Sequence, residues 1–164
     1  MLERHDPYPA YAIDRHWNIV RTNRAAERFL PAGEDRNVVR LTYAGPWRDL
    51  IANWTEIARP GLHRLEAESV DHPDDDELGR LVALAADACH DLPEKPGLAH
   101  ESALVMCPHF RVGDDIVRTI SVVAHFGAAR DVTLDELRIE LIHPADAQAD
   151  AFFRASDGPP SGHS

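Results

Sequence analysis

The most regular apolar spacing in the chain starts at Trp47. Trp47, Leu50, Ile51, Trp54, Ile57 and Ala58 recur at three- and four-residue steps, with Arg48, Asp49, Asn53, Thr55 and Glu56 between them. That is the pattern of an amphipathic helix. Pro60-Gly61 is expected to kink or restart it, because proline removes an N–H and crowds the preceding turn, while Leu62 and Leu65 continue the stripe. A further helix opens at Asp74-Asp75-Asp76-Glu77, which offers a cap and negative charge for the positive end of the helix dipole. Its stripe is Leu78, Leu81, Val82, Ala85, Ala88, Cys89 and Leu92, and Pro93 stops it.

The flanks read differently. Tyr11-Ala12-Ile13-Asp14 and Trp17-Asn18-Ile19-Val20-Arg21 form two short strands around a turn at Arg15-His16. Asn23 sits where an N-cap is wanted for a short helix over 24–30, and Asn37 caps a second over 38–43, ended by Gly45-Pro46. From residue 102 the period becomes two. Leu104 to Cys107 and His109 to Arg111 turn at Gly113-Asp114-Asp115 and return over 116–126, a long antiparallel hairpin. The last strand, 137–143, alternates cleanly. Leu137, Ile139 and Leu141 are expected inward, as are Ile120, Val122 and Ala124, with Arg138 and Glu140 in solvent. Pro144 ends that strand, and a short helix follows through Phe152 and Phe153.

The fold class expected is therefore α+β: a PAS-like five-stranded antiparallel sheet, one face covered by helices inserted between strands 2 and 3. One domain spans 1–155. The Gly/Pro/Ser-rich segment 156–164 reads as a disordered tail.

Composition narrows the function classes. With 164 residues, 44% hydrophobic, one well-buried core is the natural expectation. The net charge of −11, with basic residues scattered, gives no face for nucleic acid phosphates. No apolar run reaches the ~18 to 20 residues of a membrane span, and the N-terminus lacks the apolar centre of a signal peptide, so a cytoplasmic location is expected. Cys89 and Cys107 make neither a disulfide scaffold nor a CxxC pair. Cys107-Pro108-His109 and Cys89-His90 lack zinc-type spacing, so neither a metal nor a haem is expected. GxSxG, HExxH, GxGxxG and P-loop motifs are all missing.

Segments 11–26, 37–41, 53–54, 119–126 and 131–146 together resemble the MmyB-like ligand-binding domain, the C-terminal sensor half of Xre-type helix-turn-helix regulators. The resemblance covers residues 9–153. It implies a PAS-like fold with a buried apolar pocket for a fatty acid or similar ligand. It also implies DNA binding only through a helix-turn-helix domain, which is not in this chain; a homodimer is a further partner considered. The chain is then either an excised domain or a stand-alone sensor. The candidate ligand contacts are Trp17, Arg40, Leu41, Trp47, Ile51, Trp54, Ile57, Val122, Ala124, Ile139 and Leu141. Trp54 would wall a hollow between helix and sheet, although any packed helix shows such a stripe. A dozen buried methylenes yield roughly 10 kcal/mol against association costs of roughly 4 to 15, so an alkyl ligand needs few polar anchors. Arg40 or Arg48 could pair a carboxylate head, though both read equally as solvent-facing arginines.

Two other classes fit the pattern. One is a small α+β enzyme using His125 with Asp14 or Asp131 as an acid-base pair. The other is a protein-interaction PAS-like module with a filled core, which would leave no space of the ~300 Å3 that a ligand needs.

Overall fold

The computed structural model describes residues 2–28, 30, 35–93, 105–125 and 137–156. After a 3-10 turn at Leu2–His5, strands β1 (Ala10–Ile13) and β2 (Ile19–Thr22) form the first hairpin. Helices α1 (Arg24–Glu27), α2 (Val38–Tyr43), α3 (Trp47–Leu50), α4 (Trp54–Asp71) and α5 (Asp76–Cys89) come next. Strands β3 (Val105–Met106), β4 (His109–Val112), β5 (Asp115–His125) and β6 (Arg138–Pro144) complete the sheet, and α6 (Ala147–Ser156) follows.

All pairings are antiparallel, in the order β2-β1-β6-β5-β3, with β4 on β5 beside β3. Because β3 and β4 pair with successive stretches of β5, they occupy one strand position interrupted at Cys107-Pro108. The result is the five-position PAS-like sheet, with helices α1 to α5 between its second and third strands.

The two asparagine caps hold the N-terminal hairpin to the helices. Asn23 Oδ1 accepts from the Ala26 and Ala10 backbone N–H groups at 3.0 and 2.9 Å, while its amide donates to the Tyr8 carbonyl at 2.8 Å. Asn37 accepts from Arg40 N–H at 3.1 Å and donates to the His16 carbonyl and to Asn18 Oδ1 at 2.7 and 2.9 Å. Each side chain thus satisfies an orphan helix N–H and a turn carbonyl together.

The helix expected from Trp47 is divided elsewhere than at proline. α4 runs through Pro60 without restarting, and the break falls at residues 51–53. There the chain leaves helical geometry to meet the sheet. Ile51 forms a bridge with Phe110, Ala52 N–H donates to the His109 carbonyl at 2.6 Å, and the Asn53 side chain bonds Cys107 and His109 backbone groups. These contacts satisfy groups that a continuing helix would have used itself. α5 starts one residue later than expected, with Asp75 as the cap that accepts from Leu78 N–H at 3.1 Å.

The largest correction concerns which face of the sheet meets the helices. Tyr11, Ile13 and Ile142 belong to the main core with α2 to α5, and Arg138, Glu140, Thr119 and Ser121 are buried with the same alternation. Ile139 packs with Leu2, Ala10 and Ala12 on the opposite face, where Leu141 joins them. Val122 and Ala124 pair with Leu141 and Ile139, and so lie on that outer face; Val122 and Ile120 are 40% and 36% exposed. Four expected inward contacts, Val122, Ala124, Ile139 and Leu141, therefore point away from the helices. Side chains alternate with a period of two, so a choice of face moves a whole set at once. Here the polar set faces inward because partners await it there.

Candidate functional site

The inner face of the sheet and helices α2, α3 and α4 enclose a cavity of about 50 Å3. Its walls are mostly apolar: Trp47, Ile51, Ile57 and Leu65 from the helices, and Phe110 and Ile142 from the sheet. A second hollow of about 20 Å3, lined by Ile19, Ala26 and Leu30, shares Tyr11, Trp47, Phe110 and Ile142 with the first. On the outer side of Trp47 lies a groove of about 470 Å3, formed by Pro7, Ala25, Leu30, Pro46, Leu50, Val112, Phe152 and Phe153, with Arg28 and Arg111 on its rim. Trp47 is thus a wall common to all three spaces.

One end of the inner cavity is polar. Tyr11 and Glu140 are paired positions on β1 and β6, and the tyrosine hydroxyl donates to Glu140 Oε2 at 2.6 Å. Ser121 Oγ donates to the same oxygen at 3.3 Å. Burial, and then the negative charge of Glu140, push the Tyr11 pKa well above its ordinary value, so the phenol stays a donor. Glu140 Oε1 and Arg64 Nη2 are buried without a hydrogen-bond partner, and Arg64 Nη1 stands 3.7 Å from that oxygen.

Behind this pair, Trp17 organises a second set of charges. Its backbone has a φ of 63° at the end of the β1–β2 turn, a region a bulky residue enters only when its surroundings hold it. The hold is visible. The guanidiniums of Arg64 and Arg138 lie 4.6 and 4.5 Å from the indole centroid, and the indole N–H donates to Glu68 Oε2 at 2.9 Å. Arg138 pairs with Glu68 Oε1, which also accepts from Arg64 at 3.3 Å. Desolvation draws the Arg138 pKa down, opposed by the Glu68 charge. This network explains the inward turn of Arg138 and Glu140: a buried charge is tolerated where opposite charge and donors are already in place.

Of the expected contacts, the structure brings Trp17, Trp47, Ile51 and Ile57 together on the inner cavity. Leu41 and Trp54 are buried in the same core but line none of the three spaces. Trp54 donates its indole N–H to the Thr42 carbonyl at 2.8 Å and lies under the Arg48 guanidinium, 4.1 Å from the ring centroid. The hollow expected beneath Trp54 lies instead beneath Trp17 and Trp47. Arg40 pairs with Glu77 at 2.5 Å, tying α2 to α5.

Sequence reasoning missed Tyr11, Ser121 and Glu140. Nothing in a single strand marks Glu140 as buried, since its register partner Tyr11 lies 129 residues away. Val38, Val39 and Tyr43, from the short helix that Asn37 caps, also line the cavity. Of the acid-base alternative, Asp14 accepts the His16 and Asn18 backbone N–H groups at 3.0 and 2.9 Å as a turn residue. Asp131 and the His125 side chain lie outside the described residues, as do segments 94–104, 126–136 and 157–164. No group of three His, Cys, Asp or Glu side chains among the described residues could hold a metal ion. No described helix is long and apolar enough to cross a membrane.

A sheet of this order, helices over one face and an apolar space with one polar end define a PAS-like ligand-binding domain. The chain belongs to the MmyB-like transcription regulator ligand binding domain family, whose model matches residues 1–155. It is a ligand-sensing domain of a transcription regulator. No curated protein matches the chain.

Proposed function

We propose that the ligand is an alkyl-chain carboxylate, such as a fatty acid, and that its binding path runs from the Arg28/Arg111 groove past Trp47 into the inner cavity. The observation that carries this reading is the shared wall: Trp47 lines both the groove of about 470 Å3 and the cavity of about 50 Å3. Drug-sized ligands occupy roughly 300 to 1,000 Å3. The cavity alone is too small, and groove and cavity joined fall within that range. Arg28 and Arg111, which have no ion pair among the described residues, would hold the carboxylate at the rim, where Arg40 and Arg48 have structural partners. The alkyl chain would displace the Trp47 indole and lie along Ile51, Ile57 and Phe110.

The role is non-catalytic. Moving Trp47 repositions α3 and the start of α4, which shifts the helical layer against the sheet. A ligand that prefers the shifted arrangement biases the geometry of a helix-turn-helix partner domain or a homodimer.

Thermal unfolding and calorimetry across an alkanoate series test this. Dodecanoate is expected to raise the melting temperature of the wild type, and Arg28→Glu with Arg111→Glu to weaken binding by about tenfold or more. Trp47→Ala joins the two spaces, and should lower stability by about 3 to 5 kcal/mol while increasing the stabilisation that dodecanoate provides. The absence of a shift with any chain length, together with no lipid in native mass spectra, would overturn the reading.

A further inference from the structure

The groove beside Trp47 is bounded on one side by α1, α3 and the β4–β5 turn, and on the other by Pro7 and by Phe152 and Phe153 of α6. These last two pieces, the segment before β1 and α6, are fastened to each other. The Tyr8 hydroxyl donates to Asp150 Oδ1 at 2.5 Å and accepts from Arg154 Nη2 at 2.8 Å, while Arg154 Nε donates to Asp150 Oδ2 at 2.9 Å. Next to these bonds the Tyr8 and Phe153 rings meet edge to face, with centroids 5.9 Å apart. Phe153 is anchored on Val117 and Ala149, whereas Pro7 and Phe152 are only half-buried where they line the groove. The same segment also reaches the far side of the sheet. Leu2 packs with Ala12 and Ile139 on the outer face, and His5 Nε2 donates to the Ile142 carbonyl at 3.1 Å. Resting on the groove reading above, we infer that ligand occupancy is passed to the outer sheet face through residues 2–8, which α6 and the ligand clamp as one unit, with Tyr8, Asp150 and Arg154 as positioning residues.

The physical basis is differential burial. A short 3-10 turn and a ten-residue helix at the edge of the fold open locally at low cost, so their seated arrangement is open to bias. An alkyl chain in the groove covers the half-exposed sides of Pro7 and Phe152 together, and therefore favours the arrangement in which both are seated. The bonds of Tyr8 make that preference common to the two elements. Without its hydroxyl, Asp150 and Arg154 still pair within α6, four residues apart, but no polar contact from this set holds α6 to the segment. Tyr8 itself does not line the groove, so its loss spares the ligand contacts. Seating residues 2–8 in turn sets Leu2 and His5 against the outer face, where Ile120 and Val122 are exposed. Ligand state is thereby legible on the side of the sheet that the ligand never touches.

Hydrogen exchange followed by mass spectrometry on the full chain, with and without dodecanoate, tests this beside calorimetric titration. In the wild type dodecanoate is expected to slow exchange over both 2–8 and 147–156 by about tenfold. The N–H groups of Asp6 and Tyr8, which donate to the Glu3 and His5 carbonyls, are the reporters in the first segment. Tyr8→Phe keeps the ring contact and should bind dodecanoate with affinity close to the wild type. It should retain the ligand's protection of 147–156 and lose most of that over 2–8, a split that a general loss of stability would not produce. Asp150→Ala removes the same bond from the other side and is expected to show the same loss over 2–8. The wild-type comparison decides the matter if either variant fails to fold. Calorimetric binding of dodecanoate that protects 147–156 alone, or protection of 2–8 that is undiminished in Tyr8→Phe, overturns the inference and leaves the alkyl-carboxylate reading standing. Dodecanoate that neither binds nor alters exchange overturns both.

Discussion

Tyr11 and Glu140 occupy paired positions on β1 and β6, and the phenol of one donates to the carboxylate of the other at 2.6 Å inside the core. This contact fixes which face of β6 meets the helices. Removing the donor leaves a buried carboxylate oxygen with only the longer bond from Ser121. Tyr11→Phe is expected to cost about 1 to 3 kcal/mol, read as a lower urea midpoint at unchanged slope. Ser121→Ala should cost less. An unchanged midpoint for Tyr11→Phe would mean that the pair is not buried as described.

The orientation of β5 is testable with one substitution made at two sites. Val117 is 2% exposed and Val122 is 40% exposed, on opposite faces of the same strand. Val117→Thr buries an added hydroxyl and should lose about 1 to 3 kcal/mol, whereas Val122→Thr should stay within about 0.5 kcal/mol of the wild type. The reverse order in chemical denaturation would restore the orientation expected from alternation alone. Ile139→Ala should destabilise by about 2 to 4 kcal/mol through the outer cluster and leave dodecanoate affinity unchanged.

Asn37 does more than cap α2. Its amide also ties the His16 carbonyl and Asn18 to the helix start. Asn37→Asp keeps the acceptor for Arg40 N–H but has no N–H to offer the turn. Both Asn37→Ala and Asn37→Asp are therefore expected to lose about 1 to 2 kcal/mol or more in thermal unfolding. Full retention of stability by the aspartate would reduce the residue to a cap alone.

Stability should also depend on pH through His143. Its pKa is lowered, chiefly by desolvation and then by the neighbouring His5, whose ring centroid lies 4.8 Å away. The unfolded chain therefore binds the proton more readily than the folded one. The contribution of the neutral imidazole is fully present above the unfolded value of about 6.5 and is lost as pH falls through that value toward the lower folded one. Denaturant midpoints measured from about pH 7.5 down to 5 should decline, and His143→Gln should flatten that part of the slope. An identical slope in the variant would assign the decline to other groups.

Local chemistry made much of this protein legible from its residues alone. Asn23 and Asn37 read as caps because short amides compete for orphan helix N–H groups wherever they stand. The α5 stripe of Leu78, Leu81, Ala85 and Cys89 followed from the helical period, and Gly113, with φ of 61°, marked the β4–β5 turn. The PAS-like order followed from where the period changed from two to three or four. Trp17, Trp47, Ile51 and Ile57 meet on the inner cavity, because apolar residues at helix and turn positions near a sheet have few places to go.

Tertiary structure alone decided the rest. The sheet faces could not be assigned from β6 by itself, since the alternation of Leu137, Ile139 and Leu141 with Arg138 and Glu140 points the apolar set inward, whereas the fold turns Arg138, Glu140 and Ile142 toward the helices. Their inward turn depends on Tyr11, Glu68, Arg64 and the Trp17 ring, supplied from elsewhere in the chain. The break at residues 51–53 likewise answers to strand β4 rather than to Pro60. Periodicity reports how a segment divides between wet and dry, whereas a buried charge is stable only when distant partners converge on it, and that convergence is a property of the fold.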